Sequence, residues 1–345
     1  MTIVVLDRVS GPLPPYSEWL RDGARDVVLF TARPAAEITA HDVGAYAEVR
    51  CFSDYARSAD VDRAVFDLAA RTALSAVVAV SPADAIRAGA LREHLGLAGQ
   101  RREAAITFSD LVAMRGRLER AGIATVPCAA VERVADVYAH AGRWGYPVHV
   151  RRRRNGWAPV SVLRDEAAAR EFTRGGLSPD LQWVPGLVME PWPAGAVRRV
   201  AGVTAEGTWR LYGVAEEDGP PYPKTPYMEA PYPRTPYPRE GTEDWEEDVL
   251  AAAGAVLAAL PAADAHPYLV ELRRGDDGRW LADTVGCDVT GPAAGALART
   301  LGADVHRDAV RAQAALPPTP HTALPTILPT ALPAAVPATT GEAVR

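Results

Sequence analysis

The chain has 345 residues, enough for two or three domains with cores of their own. Hydrophobic residues make up 48% and the formal net charge is −6, which fits an ordinary globular chain and leaves no basic excess for bulk binding of nucleic acid. No apolar run approaches the roughly 20 residues of a membrane span, and MTIVVLDRVSG opens as a strand rather than as a signal peptide, so a cytoplasmic location is expected. The cysteines, Cys51, Cys128 and Cys287, are odd in number and far apart, which predicts neither a disulfide framework nor a metal-binding pair.

In chain order, TIVVLD, DVVLFTA, YAEVRCF and SAVVAVS read as buried strands. Residues 16–25, 60–72 and 84–95 carry apolar residues at helical spacing between them. Alternating β and α predicts a parallel sheet covered by helices over residues 1–105. No GxGxxG follows the first strand, so the dinucleotide fingerprint is absent. From Ser109 the pattern reads helix (SDLVAMRGRLERAG), short strand (IATVPCAAV), helix (132–145) and then YPVHVRRRRNGWAPVSVL, a strand, a basic turn and another strand, with a helix at 165–173.

The stretch after Leu187 alternates as antiparallel strands around a turn at Glu206 and Gly207. PYPKTPY, beginning at Pro221, then recurs as PYPRTPY, ending at Tyr237. Proline at this density forbids helix and sheet interior and predicts an extended strip, either a lid over a site, a docking surface for a protein partner or a solvated excursion. A helix at 243–260 follows, then YLVELRR and RWLADTV joined by a Gly275–Gly278 turn, and a last helix pair within 292–315. The Pro-, Ala- and Thr-rich residues beyond Leu316 read as a disordered tail.

Few residues carry chemistry. Glu271 and Asp283 lie on the two strands of one hairpin. Two carboxylates so placed are either Mg²⁺ ligands, because Mg²⁺ takes hard oxygen donors, or ordinary acids on a partly exposed hairpin. The run from Arg151 to Arg154 closes a strand and is either a phosphate grip or a solvated turn. Glu190 ends the apolar strand LVMEPW and reads either as an acceptor for a ribose or, as a lone acid, as a surface residue, while His149, alternating with Val148 and Val150, reads as a packed or exposed strand residue rather than a catalytic base. There is no GxSxG or HExxH.

Taken in order, these segments resemble the ATP-grasp superfamily, in particular its carboxylate–amine ligase and biotin-carboxylase-like branch. ALREHLGLAGQ at 90–100 is similar to the family's LAxxLGLPG, and DLVAMR at 110–115 running on to AGI at 121–123 is similar to DKxxMRxxLxxAGI. GYPVHVR at 145–151 stands for GYPVVVK, VMEPWPAG at 188–195 for VEExxxG, and GVAEE at 213–217 with GPPY at 219–222 for GVTEK and GPPxF. YLVEL at 268–272 and LADTVGCD at 281–288 stand for HVEL and LIEVNxR.

The resemblance implies an ATP-grasp fold, α/β plus α+β: a pre-ATP-grasp α/β domain at 1–105, a small subdomain at 106–187, a C-terminal subdomain at 188–315 and the tail at 316–345. It further implies ATP and Mg²⁺ as cofactors, with Arg151 on phosphates, Glu190 near the ribose, the backbone from Met189 to Pro191 near adenine, and Glu271 and Asp283 on the metal. Small carboxylate and amine substrates and a homodimer are its expected partners. The activity implied is an ATP-dependent carboxylate–amine ligase working through an acyl-phosphate.

The chain departs from the family at polar positions. Leu111 and Glu217 replace lysines, Val285 replaces a metal-ligating Asn, Asp288 falls near the oxyanion-steadying Arg, and the glycine-rich phosphate loop is reduced to Asn155, Gly156 and Trp157. Each lost charge-assisted phosphate contact costs about 1.5–3 kcal/mol, and a lost oxyanion group costs roughly 10²–10³ in rate. These departures imply the alternative of a degenerate pseudoenzyme that binds a nucleotide or docks a partner through the strip between Pro221 and Tyr237.

Overall fold

A computed structural model describes residues 1–9, 11–154, 157, 159–177, 186–192, 195–205, 208–217, 247–261, 267–286 and 304–317. The Pro/Tyr strip, Asn155, Gly156, Asp288 and the tail beyond residue 317 lie outside them, as does the side chain of Glu217.

The N-terminal unit is the parallel sheet that the alternating pattern predicts. Strands β1 (Thr2–Asp7), β2 (Asp26–Thr31), β3 (Glu48–Cys51) and β4 (Leu74–Ala79) lie in the order β3-β2-β1-β4, all parallel. Val4, Leu6, Val28 and Phe30 pack on one face, and Ile3, Val5, Val27 and Leu29 on the other. Burial on both faces explains why these strands read as continuous apolar runs. Helices α1 (Tyr16–Trp19), α2 (Ala40–Ala45), α3 (Asp60–Arg71) and α4 (Pro82–Leu95) belong to the same unit. The helix expected over 16–25 is a single turn. Its Trp19 carbonyl accepts from Arg311, far along the chain, at 2.7 Å.

Helix α5 (Arg102–Ser109), which the sequence reading did not separate out, comes next, and Asp110 breaks the path before α6 (Leu111–Arg120). Gly89 of α4 lets α5 approach closely, since a Cβ there would lie 2.8 Å from the Arg102 nitrogen. The second sheet is antiparallel, β5 (Ala129–Val131), β6 (Val148–Arg152), β7 (Pro159–Leu163) and β8 (Leu187–Pro191) in the order β5-β8-β6-β7. Helices α7 (Val134–Trp144) and α8 (Glu166–Thr173) share a core with its Val148, Val150, Leu187 and Met189.

The third sheet is also antiparallel, β9 (Val197–Ala205), β10 (Thr208–Glu217), β11 (Pro267–Arg274) and β12 (Trp280–Gly286) in the order β10-β9-β11-β12. Helix α9 (Glu247–Ala259) packs Val249, Ala253, Val256 and Leu257 into the core that Val270, Leu272 and Val285 supply. Phe108 of α5 and Leu111, Met114 and Leu118 of α6 join that same core. The last described helix, α10 (Val305–Gln313), returns to the N-terminal unit, where Val310 enters the core of the parallel sheet. The Gln313 amide accepts from the Ala79 nitrogen and donates to the Ala79 oxygen, each at 3.0 Å, so a side chain serves the backbone at the end of β4.

Candidate functional site: an arginine–carboxylate network between two sheets

Strand alternation decides which side chains leave the second sheet's helix-covered core. On β6, Val148 and Val150 pack under the helices, so His149 and Arg151 point to the opposite face. On β8, Leu187 and Met189 pack inward, and Val188 and Glu190 take that opposite face. His149 pairs with Glu190 across the strands, and Arg151 with Val188. Helix α6 adds Arg115, which is buried on the same stripe as Leu111, Met114 and Leu118. The third sheet adds Asp283 and Arg273. A register shift between Glu271 and Leu272 leaves Asp283 as the extra residue of β12.

These groups meet in one buried network. Arg115 donates through Nε to the Asp283 carbonyl at 3.0 Å and through Nη2 to Asp283 Oδ1 at 2.7 Å. The same Nη2 stands 2.7 Å from Glu190 Oε1 as an ion contact. Arg151 Nη1 reaches Glu190 Oε2 at 3.4 Å and Asp283 Oδ1 at 3.3 Å, while its Nε donates to the Trp157 carbonyl at 3.0 Å. Arg273 donates to Asp283 Oδ2 through Nη2 at 2.7 Å and Nε at 3.2 Å. Beside this network, Glu271 accepts from Arg199 Nε on Oε1 and from Thr284 Oγ1 on Oε2, each at 2.7 Å.

The electrostatics follow from this pairing. Burial alone would favour a protonated Glu190, but Arg115 and Arg151 overcome it and hold the carboxyl far below its usual range. Burial likewise opposes the charge of Glu271, yet Arg199 and the Thr284 hydroxyl bring its pKa down to about 2. Burial pushes the His149 pKa down against the opposing pull of Glu190, and so favours the neutral ring. Burial works against the Arg115 charge, but Glu190 and Asp283 raise its pKa in net.

Every predicted site residue has a definite place. Arg151, Glu190 and Asp283 come together, with Arg151 within 3.3–3.4 Å of both acids. Glu271 lies beside them on β11, held by Arg199. The Met189 side chain is in the second sheet's core, and Pro191 ends β8. The rest of the basic run serves another purpose. Arg153 and Arg154 donate to the two oxygens of Asp110 at 2.9 and 2.8 Å, while Arg152 is exposed. Asp110 also caps α6 by accepting from the Val112 and Ala113 nitrogens, each at 3.1 Å. Burial disfavours its charge, but these donors outweigh that and lower its pKa. Trp157, in the turn between β6 and β7, is buried in the core that also contains Val188 and Val200. Its ring lies against Gly286, where a Cβ would meet it at 3.5 Å.

The sequence reading gave Arg115 and Arg273 no role. Both were signalled, Arg115 by a charge on an apolar helical stripe and Arg273 by its position two residues after Glu271 on one strand.

A divalent cation does not fit this donor set as it stands. Both oxygens of Asp283 and both of Glu271 already receive hydrogen bonds, three of the four from arginine. A metal would have to displace guanidinium groups and sit among like charges. Among the described residues no group of three or more His, Cys, Asp or Glu side chains is arranged to hold a metal ion, and no helix is long and apolar enough to cross a membrane.

No family model matches the chain, and no curated protein matches it in sequence. Solved structures do match its fold. An L-amino acid ligase from Bacillus licheniformis has 18% identity and a TM-score of 0.65, over 90% of this chain and 74% of that one. N5-carboxyaminoimidazole ribonucleotide synthetase from Thermotoga maritima has 14% identity and a TM-score of 0.62, over 94% and 78%. The biotin carboxylase domain of 2-oxoglutarate carboxylase from Hydrogenobacter thermophilus, solved as a dimer with MgADP, ADP and bicarbonate, has 14% identity and a TM-score of 0.65, over 92% and 70%. All three are ATP-grasp enzymes, and at these identities the likeness establishes architecture: the chain has the ATP-grasp fold.

Proposed function

We propose that this chain is a degenerate member of the ATP-grasp group that keeps the fold without metal-dependent acyl-phosphate chemistry. One observation carries the reading. The two acids that the resemblance assigns to Mg²⁺ are held by the protein's own cations, Asp283 by Arg115, Arg151 and Arg273, and Glu271 by Arg199. Two further facts agree with it. Arg153 and Arg154 are engaged by Asp110 rather than by Glu271 or Asp283, and Trp157 is packed against Gly286 of the third sheet.

The second reading is an ATP-dependent carboxylate–amine ligase, favoured by the likeness to an L-amino acid ligase and to N5-carboxyaminoimidazole ribonucleotide synthetase. On that reading Arg151 would hold phosphates, the backbone from Met189 to Pro191 would lie near adenine and Glu190 near the ribose, Glu271 and Asp283 would hold the metal once free of their arginines, and ATP would supply the activation that joins a small carboxylate to an amine.

The deciding experiment incubates the purified full chain with Mg-ATP and mixtures of amino acids and measures ADP release, with thermal shift in parallel. The degenerate reading expects neither ADP above the protein-free control nor a shift of the melting temperature by Mg-ATP. Amino-acid-dependent ADP release would overturn it and establish the ligase.

A further inference from the structure

The two outer strands of the parallel sheet, β3 and β4, are protected in different ways. An outer strand offers unpaired backbone N–H and C=O groups to any further strand, and short length or charge blunts that offer. Strand β3 has four residues and carries Glu48 and Arg50, which pair with each other. Strand β4 has six residues, and the stretch from Thr72 to Ser81 contains no charge, glycine or proline. Uncharged, valine-rich segments of this kind are the ones that recruit other strands.

The outward groups of β4 are taken by side chains instead. Val77 and Ala79 are two apart, so their backbone groups point to the same side of the strand. The Val77 carbonyl accepts from Arg92 through Nε at 2.9 Å and through Nη2 at 2.6 Å. The Ala79 N–H and C=O are met by the Gln313 amide, each at 3.0 Å, and Arg92 Nη2 also donates to Gln313 Oε1 at 2.7 Å. Exchange of both bonds with one partner is what a residue of an antiparallel neighbour does in a ladder. Arg92 comes from α4, but Gln313 comes from α10, 234 residues beyond Ala79. Helix α10 is held by Val310 in the sheet's core and by Arg311, which donates to the Trp19 carbonyl at 2.7 Å.

We infer that α10 is a guard on the β4 edge, with Gln313 standing in the place of a strand residue and keeping a second copy of this chain from adding its own β4 there. A second copy is the partner excluded because two β4 strands related by a twofold axis present matching donors and acceptors and bring no charge that would repel. The guard is independent of whether the chain binds a nucleotide, since it lies wholly on the N-terminal sheet and α10.

The test uses the full chain carrying Arg311→Ala and Gln313→Leu together, which removes the anchor and the amide, beside the parent chain. Sedimentation, limited proteolysis and hydrogen exchange are measured over a range of concentrations. The expected result is cleavage near α10, a concentration-dependent gain in mass toward about twice that of the parent species, and slower exchange at the Ala79 amide as the association proceeds. Adding Ala79→Pro, which removes the outward N–H and leaves the bonds to β1, should abolish the gain in mass without changing the cleavage. If the double variant does not fold, Gln313→Leu alone serves over the same concentrations. Cleavage near α10 with no gain in mass would overturn the guard, because the bared edge would then recruit nothing. A gain in mass that survives Ala79→Pro would put the contact elsewhere and overturn it equally, as would an α10 that stays protected in both variants.

Discussion

Arg115 grips Asp283 twice, through the main-chain carbonyl at 3.0 Å and the carboxylate at 2.7 Å, across 168 residues of sequence. The same guanidinium touches Glu190 of the second sheet. One side chain on α6 therefore ties β8 to β12, and the two sheets that face each other in this fold are joined by fixed charge rather than left apart.

Replacing Arg115 by Met leaves Glu190 with Arg151 as its one arginine, beside His149, and removes two of the hydrogen bonds to Asp283. Breaking one side of a buried ion pair costs about 3–5 kcal/mol. Urea unfolding of Arg115→Met is expected to show a loss of that order, whereas Arg152→Met, at an exposed position, should lie within about 0.5 kcal/mol of the parent. Equal effects of the two substitutions would contradict the network.

Asp110 joins a helix cap to the base of the β6–β7 turn. Asp110→Ala removes the cap, worth about 0.5–2 kcal/mol, and leaves Arg153 and Arg154 without this carboxylate. Hydrogen exchange should speed up both at the start of α6 and around Arg153. Exchange that changes in α6 alone would show that the two arginines hold without Asp110.

Glu190, Glu271 and Asp110 are all held below their ordinary range. A carboxylate whose pKa is lower in the folded chain stabilises the fold above its unfolded value, near 4, and that contribution disappears as pH falls through the folded value. Stability should therefore decline from about pH 4.5 toward pH 2, with Glu271, at about 2, protonating late. Melting temperatures measured from pH 6 to pH 2 test this, and Glu271→Gln should flatten the lower part of the decline.

Asp84 has the opposite sign. It is almost fully buried in the first turn of α4, and burial raises its pKa to about 6 despite the opposing pull of Arg87. Its contribution is intact below the unfolded value near 4 and is lost as pH rises through about 6. Asp84→Asn is expected to raise stability at pH 7.5 by about 2 kcal/mol, and the gain should vanish near pH 4. A gain that is the same at both pH values would rule out titration as its cause.

Gln313 bonds the backbone of Ala79 in both directions and accepts from the buried Arg92 at 2.7 Å. Gln313→Leu keeps the bulk but strands these groups, with an expected cost of about 2–3 kcal/mol. Limited proteolysis should then cut near α10 before it cuts the second sheet. Unchanged protection of α10 would show that Val310 and its apolar neighbours suffice.

Much of the architecture can be read from local pattern. Apolar runs such as TIVVLD and DVVLFTA announce strands buried on both faces, and the Gly275–Gly278 turn announces the β11–β12 hairpin, because period and turn chemistry are properties of neighbouring residues. The ordered motifs from Asp110 to Asp283 likewise carry the ATP-grasp architecture. Sequence alone also singled out Arg151 as the start of a basic run, Asp283 as the partner of Glu271 on one hairpin, and Glu190 as an acid ending an apolar strand. It did not reveal what those groups meet. That Asp283 faces three guanidiniums, that Arg153 and Arg154 turn to Asp110, and that α10 closes on β4 all depend on residues tens to hundreds of positions apart. Such pairings are fixed by how helices and sheets pack, so only the tertiary structure could decide between acids that await a metal and acids already neutralised by arginine.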